Sequence, residues 1–201
     1  MQESSNSKTP QLENESRILE ALQYEEGFTA IHLYGQGRDH NYMIIDILGP
    51  SLEELFNYCG KRFSLKTSCL IMIQLIKRFT RIHAHNFIHR DIKPENFLLG
   101  LQNKSGLIHV VDYGLSKRYF SSQTNQHIPF QTNKGLVGTA RYASIHAHMG
   151  EELSRRDDME ALGNALLYFF LGQLPWQNLQ GTTNSDKYRK IKQVKCGISL
   201  D

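Results

Sequence analysis

The sequence predicts a single domain of the α+β class, on three observations. A chain of 201 residues is long enough for one hydrophobic core and short for several. Its 40% hydrophobic and 21% charged residues are ordinary globular usage, which excludes a wholly disordered chain. Strand-like runs near the start and longer stretches of helical apolar spacing supply both kinds of element. The formal charge of +3 is too small to argue for nucleic acid, and no apolar run reaches membrane-spanning length. Three scattered cysteines, Cys59, Cys69 and Cys196, cannot form a disulfide framework, and the first residues have no apolar stretch of a signal peptide. The expectation is a cytoplasmic protein, with the nucleus as the alternative, that binds neither nucleic acid nor membrane.

Residues 1–8 are small and polar and read as a disordered leader, and Thr9-Pro10 reads as an N-cap with a first-turn proline. Leu12, Leu19 and Leu22 then form an apolar helical stripe on which Glu15 also falls. A carboxylate there either reaches water at the stripe's edge or must meet a cation. Runs 28–34 and 42–48 read as strands joined by the hairpin-type loop 35–39. Ser51 with Glu54 resembles a capping box, and Gly60 closes that short helix. A longer helix starts at Ser64, with Cys69, Met72, Ile73, Ile76, Phe79 and His83 at helical spacing. Short strands and loops occupy 87–111. Residues 113–150 have no sustained periodicity, and so long a loop inside a domain is usually functional. The last strong helix runs from Ser154 to Gly172. Its second half is apolar all round and expects neighbours on every side.

The informative segment is His89-Arg90-Asp91-Ile-Lys93-Pro-Glu-Asn96, which fits the pattern H-R-D-x-x-x-x-N. Phosphoryl transfer needs a carboxylate to orient the attacking hydroxyl and accept its proton, and cations to neutralise charge on the transferred group. Asp91 suits the first task and Lys93 the second, while the amide oxygen of Asn96 can ligate magnesium. Downstream, Val110-Val111-Asp112-Tyr113-Gly114 has the D-F-G form with tyrosine for phenylalanine. Asp112 would hold magnesium against nucleotide phosphates, and the Tyr113 hydroxyl needs a partner if buried. The pairs His83-x-His85 and His146-x-His148 are poor zinc sites, and Trp176 reads as a packing anchor.

With these motifs stand Leu48-Gly-Pro-Ser-Leu52, Phe87-Ile-His-Arg-Asp-Ile-Lys-Pro-Glu-Asn-Phe97, Gly138-Thr-Ala-Arg-Tyr-Ala-Ser-Ile145, Ser154-Arg-Arg-Asp-Asp158 and Leu174-Pro-Trp-Gln177. Together they resemble the casein kinase 1 family of serine/threonine protein kinases, from about Thr9 to about Lys195. The family's S-I-N string reads Ser144-Ile145-His146 here. The resemblance implies a protein-kinase-like fold with a residual N-lobe at 9–48, holding helix C and two strands, and a mainly helical C-lobe at 49–201. It implies ATP and Mg2+ as cofactors and acidic or phosphorylated proteins as substrates. Glu15 matches the helix C glutamate, Asp46 and Leu48 the adenine-binding hinge, and Ile45 the gatekeeper. Asp158 matches the anchor of the catalytic loop. Arg90, Lys117, Lys134 and Arg141 match basic residues of the family's anion sites. Lys187 also matches a family position, but the basic cluster before it reads Asn184-Ser185-Asp186, and Lys187 is read as a solvated surface charge.

Against the family pattern, this sequence shows no glycine-rich loop and no V-A-I-K lysine before Glu15, and it lacks the helices that continue past Lys195. The lead reading is transfer of the ATP γ-phosphate to Ser or Thr, with Asp91 as base. The alternatives are a catalytically impaired kinase-like binding protein, or an incomplete gene model of an active kinase. A two-stranded sheet and an uncovered central helix also imply marginal stability or a stabilising protein partner.

Overall fold

Backbone pairing organises the first 45 residues. In the computed structural model, which describes residues 1–5, 7 and 10–198, strands β2 (Ile31–Gln36) and β3 (His40–Ile45) form an antiparallel hairpin. Gly37 sits in its loop, where a Cβ would lie 2.7 Å from the His40 carbonyl oxygen. Within the span 1–8 read as a disordered leader, the described residues include an ordered segment. Gln2–Ser4 is strand β1, antiparallel to the free edge of β3, so the sheet has the order β1-β3-β2. The Met1 ammonium donates to Met43 O at 2.8 Å and Met43 N to Met1 O at 3.0 Å, extending the pairing. Polar side chains conceal such a strand because ladder bonds use only N–H and C=O groups. The α+β class stands, with three strands in this sheet where two were expected.

Helix α1 (Leu12–Leu22) begins after Gln11, and Thr9, the expected cap, lies outside the described residues. The cap comes instead from β1: the Glu3 carboxylate accepts from Gln11 N at 2.6 Å and Leu12 N at 3.3 Å. A carboxylate on the exposed N–H groups of a helix start is favourable for hydrogen bonding and for the helix dipole. Leu12, Ile18, Leu19 and Leu22 are buried beneath the sheet.

Helix α2 (Leu52–Tyr58) starts with the expected capping box: Ser51 Oγ accepts from Glu54 N, and Glu54 accepts from Ser51 N at 2.7 Å. Helix α3 (Leu65–Ala84) follows its Ser64 cap, but its buried stripe is rotated by one position from the expected one. Ile71, Met72, Leu75, Phe79 and Ile82 face the core, while Cys69, Ile73 and Ile76 are exposed. The sequence holds a second apolar stripe through Ile71, Leu75 and Ile82, and that face also carries the charged Arg78. Its guanidinium is met by Ile108 O at 3.2 Å and Glu26 at 2.8 Å.

Short two-stranded ladders then pair β4 (Phe87–Ile88) with β7 (Lys117–Arg118), and β5 (Phe97–Leu99) with β6 (Ile108–Val110). A third joins β8 (Phe120–Ser121) to β9 (Gln126–His127). Helix α4 (Ile145–Met149) precedes α5 (Arg155–Leu171), which packs along α3, and α6 (Asn184–Gly197) closes the described fold. Expected to be enclosed, α5 is covered on one side only: Leu162, Ala165, Tyr168 and Phe169 are buried, whereas Leu167 and Leu171 are exposed. No helix is long and apolar enough to cross a membrane among the described residues.

The strand-borne cap makes a direct prediction. Glu3→Ala leaves two helix N–H groups without an acceptor and should destabilise the domain by about 1 kcal/mol, read as a lower urea midpoint at unchanged m-value.

Candidate functional site

The loop between β4 and β5 is held from below by one carboxylate. Asp158 of α5, only 2% exposed, accepts from His89 N at 2.9 Å and Arg90 N at 3.0 Å, and faces His83 Nε2 at 2.9 Å. These bonds hold the backbone where Arg90 takes a left-handed φ of 70°. The His89 ring is fully buried, and Asp91 N donates to its Nδ1 at 3.3 Å. Nε2 therefore carries the proton and donates to Val111 O at 3.1 Å, joining this loop to the chain just before Asp112. Burial pushes the His89 pKa down, which suits this neutral tautomer.

Asp91, also buried, is held at both oxygens. Thr139 Oγ1 donates to Oδ1 at 2.7 Å and Lys93 Nζ to Oδ2 at 2.6 Å. Asn96 Nδ2 donates to Asp91 O at 2.9 Å, which leaves the Asn96 amide oxygen as an acceptor for a ligand. Asp112, at a φ of 66°, is 44% exposed at its side chain and brings Oδ2 to 3.9 Å from Lys93 Nζ. Burial opposes the Lys93 charge, but the bond to Asp91 and the charges of Asp91 and Asp112 outweigh it and raise its pKa. The structure thus brings Asp91, Lys93, Asn96 and Asp112 together. Among the described residues no three His, Cys, Asp or Glu side chains cluster as a metal cage. The oxygen pair of Asp112 and Asn96 fits Mg2+, a hard ion that takes few protein ligands and completes its shell with phosphate and water.

Beside this group lies a cleft of about 410 Å³ between the sheet and the helical part. Ile45, Leu48, Leu98 and Val111 give it apolar walls, and Glu15 and Asp112 mark its acidic end. Asp46 lies on its rim, where burial raises the pKa but His32 Nε2 at 2.7 Å and Ala30 N at 3.2 Å outweigh it. Asp46 N is committed to Ala30 O at 3.3 Å, and no partner for Leu48 N is found among the described residues. A planar heterocycle in this cleft would meet apolar faces, with the Leu48 backbone N–H at hand as a donor.

Glu15 follows neither of the two routes its position on the apolar stripe allowed. It is 4% exposed, reaching neither bulk water nor a lysine, and accepts the backbone N–H of Tyr113 at 3.1 Å. The Tyr113 hydroxyl, whose partner was an open question, donates to Val110 O at 2.9 Å.

The four expected anion-binding cations do not form one cluster. Arg90, Lys117 and Lys134 line a single pocket of about 150 Å³, with Glu152 among them at 2.8 Å from Lys117 and 3.4 Å from Lys134. Arg90 Nε is spent on Leu115 O at 2.6 Å. Arg141 lies apart, its guanidinium over the Tyr142 and Tyr168 rings, lining a cleft of about 640 Å³. Lys187, read as a plain surface charge, lines that same cleft. The two histidine pairs face separate partners: His83 meets Asp158, His85 Glu25, His146 Glu151 and His148 the Ala140 carbonyl. Thr139 and Glu152 were missed. Thr139 lay inside a recognised string, but nothing local marked Glu152, whose partners are 35 and 18 positions away.

Burial, reinforced by the charge of Asp112, lifts the Glu15 pKa to about 7 against the opposing Tyr113 bond. A carboxyl raised above its unfolded value stabilises the fold in its protonated form. That contribution is whole below pH 4.5 and is lost as the pH rises to 7. Glu15→Gln should therefore match wild type near pH 4 and be more stable at pH 8, by up to about 3 kcal/mol, in paired urea titrations.

The remaining finding concerns the whole chain. Its buried loop anchor, paired aspartates and adjoining cleft accompany a match to the family described as the protein kinase domain over residues 1–199, and the chain belongs to that family.

Proposed function

We propose that this protein kinase chain is a serine/threonine kinase of the casein kinase 1 type, taking Mg·ATP and acidic or already phosphorylated protein substrates. The observation that carries the reading is the seating of Asp91 between Thr139 and Lys93, with Asp112 beyond. Two donors hold the carboxylate in one orientation, so it can align a substrate hydroxyl and take its proton without reorganising. Lys93 lies between the two aspartates and can turn to the transferred phosphoryl group as its charge develops. Asn96 and Asp112 are the residues to hold magnesium, and Leu48 the backbone donor to adenine. Asp46 and Glu15 border the same cleft.

The preference for acidic or primed substrates is supported by the pocket of Arg90, Lys117 and Lys134. Burial raises the pKa of Glu152, but the bonds and charges of Lys117 and Lys134 outweigh it and leave it lowered. An incoming phosphate must therefore compete with a carboxylate already in place. A second reading, an impaired kinase-like binding protein, is favoured by Glu15, which meets a backbone N–H in place of a lysine.

Radiolabelled ATP with an acidic protein substrate separates the two. The kinase reading expects incorporation that falls at least a hundredfold in Asp91→Asn, and incorporation indifferent to that change would defeat it. For the anion pocket, Glu152→Gln should tighten binding of a phosphoserine peptide several-fold in fluorescence anisotropy. It should also steepen the salt dependence, because two lysines lose their internal partner.

A further inference from the structure

The turn at 139–143 has no ladder to hold it, yet each of its five carbonyl groups has a donor. Tyr142 N and Ala143 N both donate to Thr139 O at 3.0 Å. His148 Nε2 lies 3.0 Å from Ala140 O, Trp176 Nε1 donates to Arg141 O at 2.7 Å, and Asn164 Nδ2 to Tyr142 O at 2.9 Å. Lys195 of α6 completes the set. Its ammonium donates to Ala143 O, lies 3.5 Å from Ala140 O, and rests 4.7 Å over the Trp176 ring.

At its front, the same turn touches the proposed chemistry. Gly138 approaches the catalytic loop so closely that a Cβ would lie 2.1 Å from Arg90 O, at a φ of 81° that favours glycine. Thr139 then reaches Asp91, and Arg141 borders the large cleft. Four positions along the chain therefore separate the Lys195 contact at Ala143 from Thr139, whose bond orients the proposed base.

A buried ammonium is a poor choice for stability alone, since an apolar side chain of similar volume is often neutral or better. Lys195 is 5% exposed, and burial pulls its pKa down to about 8 against the opposing charge of Glu160. What methionine could not supply is a pair of donors aimed at carbonyls on both sides of Arg141 and Tyr142.

We infer that Lys195 is a positioning residue for the proposed kinase reaction: by holding Ala140 and Ala143, it fixes the turn that keeps Thr139 on Asp91 and Arg141 at the substrate cleft. The assignment rests on the kinase reading, but its first measurement does not. In the full chain, hydrogen exchange followed by mass spectrometry reads the Tyr142 and Ala143 amides without nucleotide. Lys195→Met should speed their exchange at least tenfold and weaken an acidic phosphoserine peptide several-fold, with Mg·ATP affinity unchanged. Lys195→Arg, which retains charge and donors, should restore both. Wild-type exchange and peptide affinity in Lys195→Met would overturn the assignment, as would Lys195→Arg behaving like Lys195→Met. Should the methionine variant not fold, the shorter, neutral Lys195→Gln takes its place under the same criteria. A wild-type chain that binds no Mg·ATP overturns the kinase reading instead, while the exchange comparison still reports on the turn.

Discussion

The site depends first on the two backbone N–H groups of His89 and Arg90 being held by the buried Asp158 carboxylate. Arg90 has a positive φ, a conformation that costs a side-chain-bearing residue free energy unless its surroundings enforce it. A charged acceptor receiving two N–H donors at low dielectric supplies that enforcement. Because Asp158 stands in the first turn of α5, which packs along α3, the loop takes its position from the helical core. Asp91 follows directly after Arg90, and the His89 ring passes the same constraint to Val111 and so to Asp112. One buried carboxylate therefore sets both acidic groups relative to each other.

Charge balance explains the next level. Asp91 and Asp112 flank Lys93, so the negative charge that a metal–nucleotide complex would meet is already partly offset. Glu15 has a weaker offset. Burial raises its pKa against the Tyr113 N–H, and the Met1 ammonium opposes the added effect of the Asp112 charge without restoring the ordinary value. The group around Asp91 is thus better supplied with donors than the Glu15 end of the cleft.

What was legible in the sequence was local. The Ser51–Glu54 capping box and the catalytic-loop string involve residues a few positions apart, so their patterns survive in one dimension. The strand at Gln2–Ser4 was not legible because its pairing is written in backbone groups and its cap, Glu3, acts eight and nine residues away. The α3 stripe misled for another reason. Arg78 interrupts the buried stripe with a charge, and its partner Glu26 lies at a sequence distance of 52, which no periodicity can register. The four basic residues were legible as types, but not their division into a three-residue pocket and a separate Arg141, which is a matter of tertiary placement.

The aperiodic 113–150 segment illustrates how irregular chain becomes rigid. A helix or sheet satisfies its backbone internally, whereas a turn such as 139–143 must import donors. Those donors come from α4, α5, Trp176 and α6, so elements distant in sequence converge on a few peptide groups. The abundance of polar side chains around this segment then has a structural reason besides substrate contact. Four of the five carbonyls are tied to side chains outside the turn, and the turn can move only if several elements move with it. The Asp91 carboxylate, oriented by this turn through Thr139, inherits that stiffness. This is why the residues that fix the turn include several, among them Lys195, that touch neither Asp91 nor the cleft beside it.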